Sequence, residues 1–192
     1  MDQTLRNFFG QYGEVQHKDL NAIKTFASEK AIKKGSFLLR EGAICKNFYL
    51  VISGSFRLYY LKDGLDTSVW FSFKNNSSIE LYSYISESTS EYFIECIEEA
   101  DVIIIPKRDI DTLCRTNSII DTLFKFFWQD VVQNLINRLT NLQKYSAEER
   151  YLKLIEDTDY LNRVPQKYIA SYIGVTTTSL SRIKRNVRTK LS

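Results

Sequence analysis

The sequence predicts an α+β fold in three successive parts: an N-terminal β-barrel of jelly-roll type, one long helix, and a C-terminal helix-turn-helix. Three observations carry this expectation. Between Ala31 and about Ile105, short alternating apolar runs are separated by Gly-containing turns, the pattern of an all-β sandwich or jelly roll. From about Ser118 to Lys144, apolar residues recur in steps of three and four, as on one face of a helix. From Val164 to Arg188, VPQKYIASYIGVTTTSLSRIKRNVR places two short amphipathic segments around a glycine in helix-turn-helix register.

Composition sets the limits. At 192 residues, with 44% hydrophobic and 14% aromatic residues, the chain can bury a sizeable core and divides into about two domains. The N-terminus lacks a charged segment followed by an apolar one, and runs such as Phe48–Ile52 and Val102–Pro106 are too short to span a bilayer. A cytoplasmic protein without membrane attachment is expected. Cys45, Cys96 and Cys114 are odd in number and far apart, which fits buried reduced thiols better than a disulfide framework or a metal cluster. A redox-sensing thiol is the alternative, with Lys46 and Arg115 the basic neighbours in sequence.

Taken in order, Leu5, Phe8 and Phe9, then Leu20, Ile23 and Phe26, suggest two short helices joined around Gly10–Gly13. His17, the only histidine, falls in this lead-in and reads as a surface residue. Strand signals follow: Ile32, a turn at Lys34-Gly35, then Phe37 and Leu39. Phe48, Leu50 and Ile52 alternate, Ser53-Gly54 reads as a turn, and Phe56, Leu58 and Tyr60 alternate again. Asp63-Gly64 is a hairpin signal, after which Val69, Phe71 and Phe73 run on. Ile79–Ile85, Tyr92–Ile97 and the buried run Val102–Ile105 are three further strand candidates, closed by Pro106. Asp109–Leu113 suggests a short helix.

The long helix carries Ile120, Leu123, Phe124, Phe127, Val131, Leu135, Leu139 and Leu142 on one stripe. One small domain cannot easily cover that length, whereas a parallel copy of the same helix can, so a homodimer is expected. Ser146 followed by Glu149 is a capping box that opens a fresh helix through Asp157. The expected division is a sensor-type barrel with N-terminal helices over 1–116, a dimerisation helix over 117–145, and a helix-turn-helix domain over 146–192.

In the C-terminal motif, Ile169 and Ile173 share a face, and Ala170 is small where a second helix would cross. Gly174 supplies positive φ at the turn, Val175 tucks beneath it, and Thr176 is a candidate N-cap. Leu180, Ile183 and Val187 form the inward stripe of the second helix. Thr177, Thr178, Ser181, Arg182 and Arg185 are left outside, hydroxyls and guanidinia suited to base edges and phosphates in a major groove. Between Leu161 and Ser192 there are seven basic residues and no acidic one, leaving 19 basic against 23 acidic in residues 1–160. A basic end on an acidic body is the footprint of a module that binds a polyanion, double-stranded DNA above all.

The order of barrel, long helix and helix-turn-helix resembles the Crp/Fnr superfamily of bacterial transcription regulators. The resemblance is strongest in SAEERYLKLIED with KYIASYIGVTTTSLSRIKR, and clear in KKGSFLLREGAICKNFYLVISGSFRLYY, which looks like the first half of a cyclic-nucleotide-binding-type barrel. It implies a transcription regulator: a homodimer on a palindromic operator, contacting RNA polymerase, with a barrel pocket as a site for a small-molecule effector. An enzyme is not expected, because metal chemistry in related barrels uses His and carboxylate clusters and the only histidine, His17, precedes the barrel. In the family's cyclic-AMP receptors that pocket holds a Gly-Glu-Leu run and then an Arg. Here the run is Ile79-Glu80-Leu81, and SESTSEYFIEC offers Glu87 and Glu91 but no basic residue. Leu135 and Ile136 stand where the long helix normally presents two hydroxyls to the base. The effector pocket, if one is used, would therefore involve Glu80, Leu81 and Leu135, and its ligand is not expected to be cyclic AMP. The clustered cysteines of iron–sulfur members and the barrel histidine of haem members are missing, so no cofactor is expected. Arg182 matches the family's base-reading Arg, while Thr177-Thr178 replaces an Arg-Glu pair. Lys167, Thr176, Lys184 and Arg185 are assigned to phosphates and Thr177, Thr178 and Ser181 to bases. YLNRV, before the motif, is short and leaves little room for the usual β-wing. The alternative keeps the DNA binding and makes the barrel a dimerisation or protein-binding platform.

Overall fold

In the computed structural model, which describes residues 1–156 and 158–191, an antiparallel six-stranded sheet is flanked by helices on both sides in sequence. Two short helices lead in, α1 (Asp2–Phe9) and α2 (His17–Lys24). They bury Leu5, Phe8, Phe9, Leu20 and Ile23, while Phe26 lies beyond the end of α2 and stays 39% exposed. His17 is exposed.

The strands are β1 (Ser28–Ile32), β2 (Phe37–Leu39), β3 (Asn47–Lys62), β4 (Leu65–Ser72), β5 (Ser77–Ser78) and β6 (Phe93–Pro106). They are ordered β1-β6-β3-β4, with β2 also on β6 and β5 on β3. The arrangement is jelly-roll-like, but the sheet is open, which corrects the expectation of a closed barrel. The first strand also begins at Ser28, three residues before the apolar pattern makes it visible.

Two expected breaks are not breaks. Ser53-Gly54 is no turn, because β3 runs straight through it. Gly54 holds φ at 78°, and a Cβ there would stand 2.3 Å from the Glu99 carbonyl oxygen. Gly54 is therefore a bulge-like point of close approach between strands, where only glycine fits. The facing segment shows the same continuity: Tyr92–Ile97 and Val102–Ile105 are one strand, β6, whose middle carries the exposed Glu98 and Glu99. Alternation is lost locally in both strands, so a period-2 reading divides each in two.

The strand expected at Ile79–Ile85 is a helix, α3 (Leu81–Ser86). Its apolar residues looked strand-like because the segment is short. What decides the outcome is Glu80, whose carboxylate accepts from the N–H groups of Tyr82 and Ser83 at 3.0 and 2.9 Å and so initiates a helical turn. Asp63-Gly64 does form the tight hairpin between β3 and β4, both residues with positive φ (52° and 77°), the signature of a type I′ turn.

Helix α4 (Lys107–Thr116) leads into α5 (Ser118–Lys144). The first half of α5 buries Ile120, Leu123, Phe124 and Phe127. There Phe8, Phe9, Phe48, Phe124 and Phe127 meet mostly edge to face, with ring centroids 5.0–6.1 Å apart. The capping box at Ser146 and Glu149 opens α6 (Ala147–Ile155) as expected, whereas the proposed end of that helix at Asp157 lies outside the described residues. Residues Thr158–Arg163 form a further short helix, α7. Two more helices, α8 (Gln166–Tyr172) and α9 (Thr177–Leu191), complete the chain. Among the described residues there is no strand after β6 and so no β-wing.

The chain divides into two compact units. One is Met1–Leu58 with Phe71–Val131, and the other is Val132–Ser192 with the hairpin segment Tyr59–Trp70. No helix among the described residues is long and apolar enough to cross a membrane.

Candidate nucleic-acid interface

The second unit builds its candidate interface around a short turn. Helix α8 buries Tyr168, Ile169, Ala170 and Tyr172, with Ala170 only 1% exposed where α9 packs on it. Gly174 then takes φ 76°, and the Val175 N–H returns to the Ala170 carbonyl at 2.9 Å, closing α8 with a left-handed glycine. Thr176 caps α9: its hydroxyl accepts from the Ser179 N–H at 3.2 Å, three residues on. Leu180 and Val187 are buried under α9, and Ile183 is half-buried.

That register decides what faces solvent. Thr176, Thr177, Thr178, Ser181, Arg182 and Arg185 are all exposed, with Lys167 exposed on α8 and Lys184 half-buried at the flank. The Arg182 guanidinium rests on the Ser179 hydroxyl at 3.4 Å, a long contact that is easily exchanged for a better acceptor. Ser181 donates its hydroxyl to the Thr177 carbonyl of its own helix at 3.0 Å. Its remaining capacity is as an acceptor, which suits an exocyclic amino group on a base. No acidic residue stands in the first turn of α9.

Sequence reasoning missed the side chains that hold this helix pair. Arg150, from α6, donates through Nε and Nη2 to the Ile173 carbonyl at 3.1 and 2.9 Å, and through Nη1 to the Tyr145 carbonyl. Arg138, from α5, stacks its guanidinium 3.6 Å over the Tyr172 ring and donates to the Tyr172 carbonyl. Burial lowers the Arg138 pKa from its ordinary value. Two guanidinia thus end α8 by taking its last carbonyls, the helix terminus where positive charge is favoured. Neither arginine belongs to a motif, so spacing alone could not find them.

The other candidate site, at α3, lies in the first unit. Glu80 is 4% exposed and spends its carboxylate on the α3 N–H groups, while Leu81 is half-buried. Ser83, fully buried, accepts from the Cys45 N–H and donates to the Ser88 carbonyl, fastening the loop after α3. Glu87 on that loop is held by Lys107 at 2.9 Å, which keeps its carboxyl pKa below the ordinary value. Leu135, the third residue of the expected pocket, belongs to the second unit and is 45% exposed on α5.

Residues 29–117 match the family model of the cyclic nucleotide-binding domain. This part of the chain has the cyclic nucleotide-binding fold. Among curated proteins, none matches the sequence. Solved structures match it over nearly its whole length. FixK2 from Bradyrhizobium japonicum superposes with a TM-score of 0.71 at 18% identity, over 85% of both chains. The c-di-GMP-responsive global regulator CLP of Xanthomonas campestris gives 0.70 at 13% identity, over 91% of this chain and 93% of its own. A transcriptional regulator of the crp/fnr family from Eubacterium rectale gives 0.71 at 17% identity, over 96% and 88%. Solved structures similar over most of this chain thus include a crp/fnr-family transcriptional regulator and a global regulator, and at these identities the likeness is one of fold.

Proposed function

We propose that the chain is a sequence-specific, DNA-binding transcription regulator. It acts as a homodimer on a palindromic operator, with α8 and α9 as its helix-turn-helix. The observation that carries this reading is the outward face of α9. Thr177, Thr178, Ser181, Arg182 and Arg185 are exposed together above a buried Leu180 and Val187, in a segment with seven basic and no acidic residues. Arg182 is assigned to a guanine, Thr177, Thr178 and Ser181 to neighbouring bases, and Lys167, Thr176, Lys184 and Arg185 to phosphates.

Dimerisation is supported by α5. Val132, Leu135, Ile136, Leu139 and Leu142 are 41–58% exposed, and 132, 135, 139 and 142 follow the 3-4-3 spacing of a coiled-coil seam. A second copy of the same helix is the occupant this spacing fits. The division of labour is a sensor-type domain over 1–116, a dimerisation helix over 117–145 and a DNA-binding domain over 146–192, in a cytoplasmic protein that contacts RNA polymerase and has no catalytic role.

The effector, where one is used, is not cyclic AMP. Two first-turn donors of α3 are already taken by Glu80, and Glu87 and Glu91 follow without an intervening basic residue. A phosphodiester anion would meet the Glu80 carboxylate at those donors, and the Lys107 ammonium beside Glu87 is already paired with Glu87 and Asp111. The same observation favours the second reading, in which the sheet domain serves as a dimerisation or protein-binding platform. Calorimetric titration with cyclic AMP is expected to show no heat of binding, and a micromolar isotherm would contradict this assignment. DNA binding itself is tested by selecting random duplex DNA with purified protein and no added ligand. Enrichment of a two-fold symmetric site is the expected result; only salt-sensitive, sequence-independent retention would oppose it.

A further inference from the structure

Helix α8 is held at its C-terminal end by two other elements. One is α5, through Arg138 stacked on Tyr172 and bonded to the Tyr172 carbonyl. The other is β4 of the hairpin Tyr59–Trp70. The Ser68 N–H donates to the Ser171 hydroxyl at 3.1 Å, and the Ser171 hydroxyl lies 3.0 Å from the Ser68 hydroxyl. Ser68 is 2% exposed and Ser171 is half-buried, so this contact is partly shielded from water. Ser171 has one hydroxyl proton, shared between the Ser68 oxygen and the Tyr168 carbonyl at 3.2 Å, while its lone pair takes the Ser68 N–H. Ser68, Arg138, Ser171 and Tyr172 all belong to the second unit. The clasp leaves the reading face of α9 uncovered, since Thr177, Thr178, Ser181, Arg182 and Arg185 remain exposed. It therefore does not block DNA. It fixes direction.

We infer that Ser171 and Arg138 are positioning residues that set the half-site spacing the dimer accepts, while α9 alone sets the half-site sequence. The inference rests on the proposed DNA-binding dimer. In a two-fold complex the distance between half-sites is matched by the separation of the two reading helices. That separation is defined only if each α8–α9 pair is locked to the helix through which the dimer forms. Arg138 supplies the lock on α5 itself, and the Ser68–Ser171 pair supplies a second attachment, to β4. With both in place α8 cannot swing about a single contact. Without them the Arg150 bonds to Ile173 remain, so the helix pair stays folded but less narrowly aimed.

The test uses the full-length protein and a duplex library in which the selected half-site is repeated at every spacing over one helical turn. Wild type, Ser171→Ala, Arg138→Ala, Arg138→Lys and the double variant Ser171→Ala/Arg138→Ala are compared, each with its melting temperature. Wild type is expected to prefer one spacing at least tenfold over spacings two base pairs away. The double variant is expected to fall below threefold while retaining the same half-site preference and a cooperative melt. Arg138→Lys, which keeps the charge but not the planar stack, should fall between Arg138→Ala and wild type. An unchanged spacing preference in the folded double variant overturns the inference and leaves the DNA-binding reading standing. Loss of half-site preference along with spacing also overturns it, since the residues would then support α9 as a whole. If wild type selects no half-site at all, the DNA-binding reading fails, and this inference with it.

Discussion

Burial, rather than any neighbouring base, sets the chemistry of the three cysteines. Cys45 and Cys96 are buried and Cys114 is half-buried, and desolvation pushes each thiol up to about 11. The thiolate is the reactive form, so raised pKa values make these thiols slow to react at neutral pH. Neither Lys46 nor Arg115 makes a thiolate more accessible. The folded protein is expected to react with iodoacetamide at pH 7.5 far more slowly than its urea-unfolded form, read by mass spectrometry; equal rates would contradict this. The same shifts act on stability. A thiol whose pKa is higher in the folded state favours folding while protonated, fully below the unfolded value near 9. The advantage disappears as pH rises through about 11. Chemical denaturation midpoints should therefore fall between pH 9 and 11, and fall less in a Cys45→Ala variant after its own cavity cost is subtracted.

At the scale of elements, Gly54 is the position where one side chain would do most damage. Any Cβ there meets backbone atoms of Glu99 and Ala100 at 2.3–2.5 Å, and positive φ adds about 1–3 kcal/mol for a residue other than glycine. Gly54→Ala should lower the urea midpoint by at least that equivalent, whereas Gly64→Ala, with open space around it, should lose only the φ contribution. Comparable losses for the two would show that Gly54 is an ordinary turn. The same glycine explains part of what the sequence concealed. Long uniform helices announce themselves: α5 has the expected ends, Ser118 and Lys144, because 27 residues of three-and-four spacing outweigh any local exception. The turn at Gly174, the cap at Thr176 and the inward Leu180 and Val187 were legible for a related reason, since several position-specific requirements coincide within about 20 residues. Strand continuity through Gly54 and across Glu98-Glu99 was not, because it depends on a partner strand some 45 residues away. The helical state of Leu81–Ser86 depends on one carboxylate turning back onto its own backbone. Arg138, Arg150 and Ser171 stayed hidden because their partners are carbonyls and hydroxyls that carry no sequence signal.

For the whole molecule, the exposed half of α5 and the basic C-terminal segment make two linked demands. In the proposed dimer the exposed apolar seam at 132, 135, 139 and 142 is covered by a second copy, and a helix pair suited to one half-site gains most when there are two. Leu139→Glu, a charge in the middle of that seam, should convert a species of twice 22.5 kDa into monomer in sedimentation equilibrium. Its fold should persist, since Leu139 is 58% exposed in the single chain. A wild-type monomer at micromolar concentration would remove the dimer from the account. The acidic body and basic end also predict steep salt dependence of DNA affinity, falling roughly linearly in log–log form with the number of phosphates neutralised. The central claim, that the outward face of α9 reads base sequence, is tested most directly by repeating the random-duplex selection with Arg182→Ala beside wild type. The account predicts that one symmetric pair of base positions loses its guanine preference, a loss of about 1–3 kcal/mol of discrimination, while the other positions keep theirs. An unchanged sequence preference in the folded variant would contradict it.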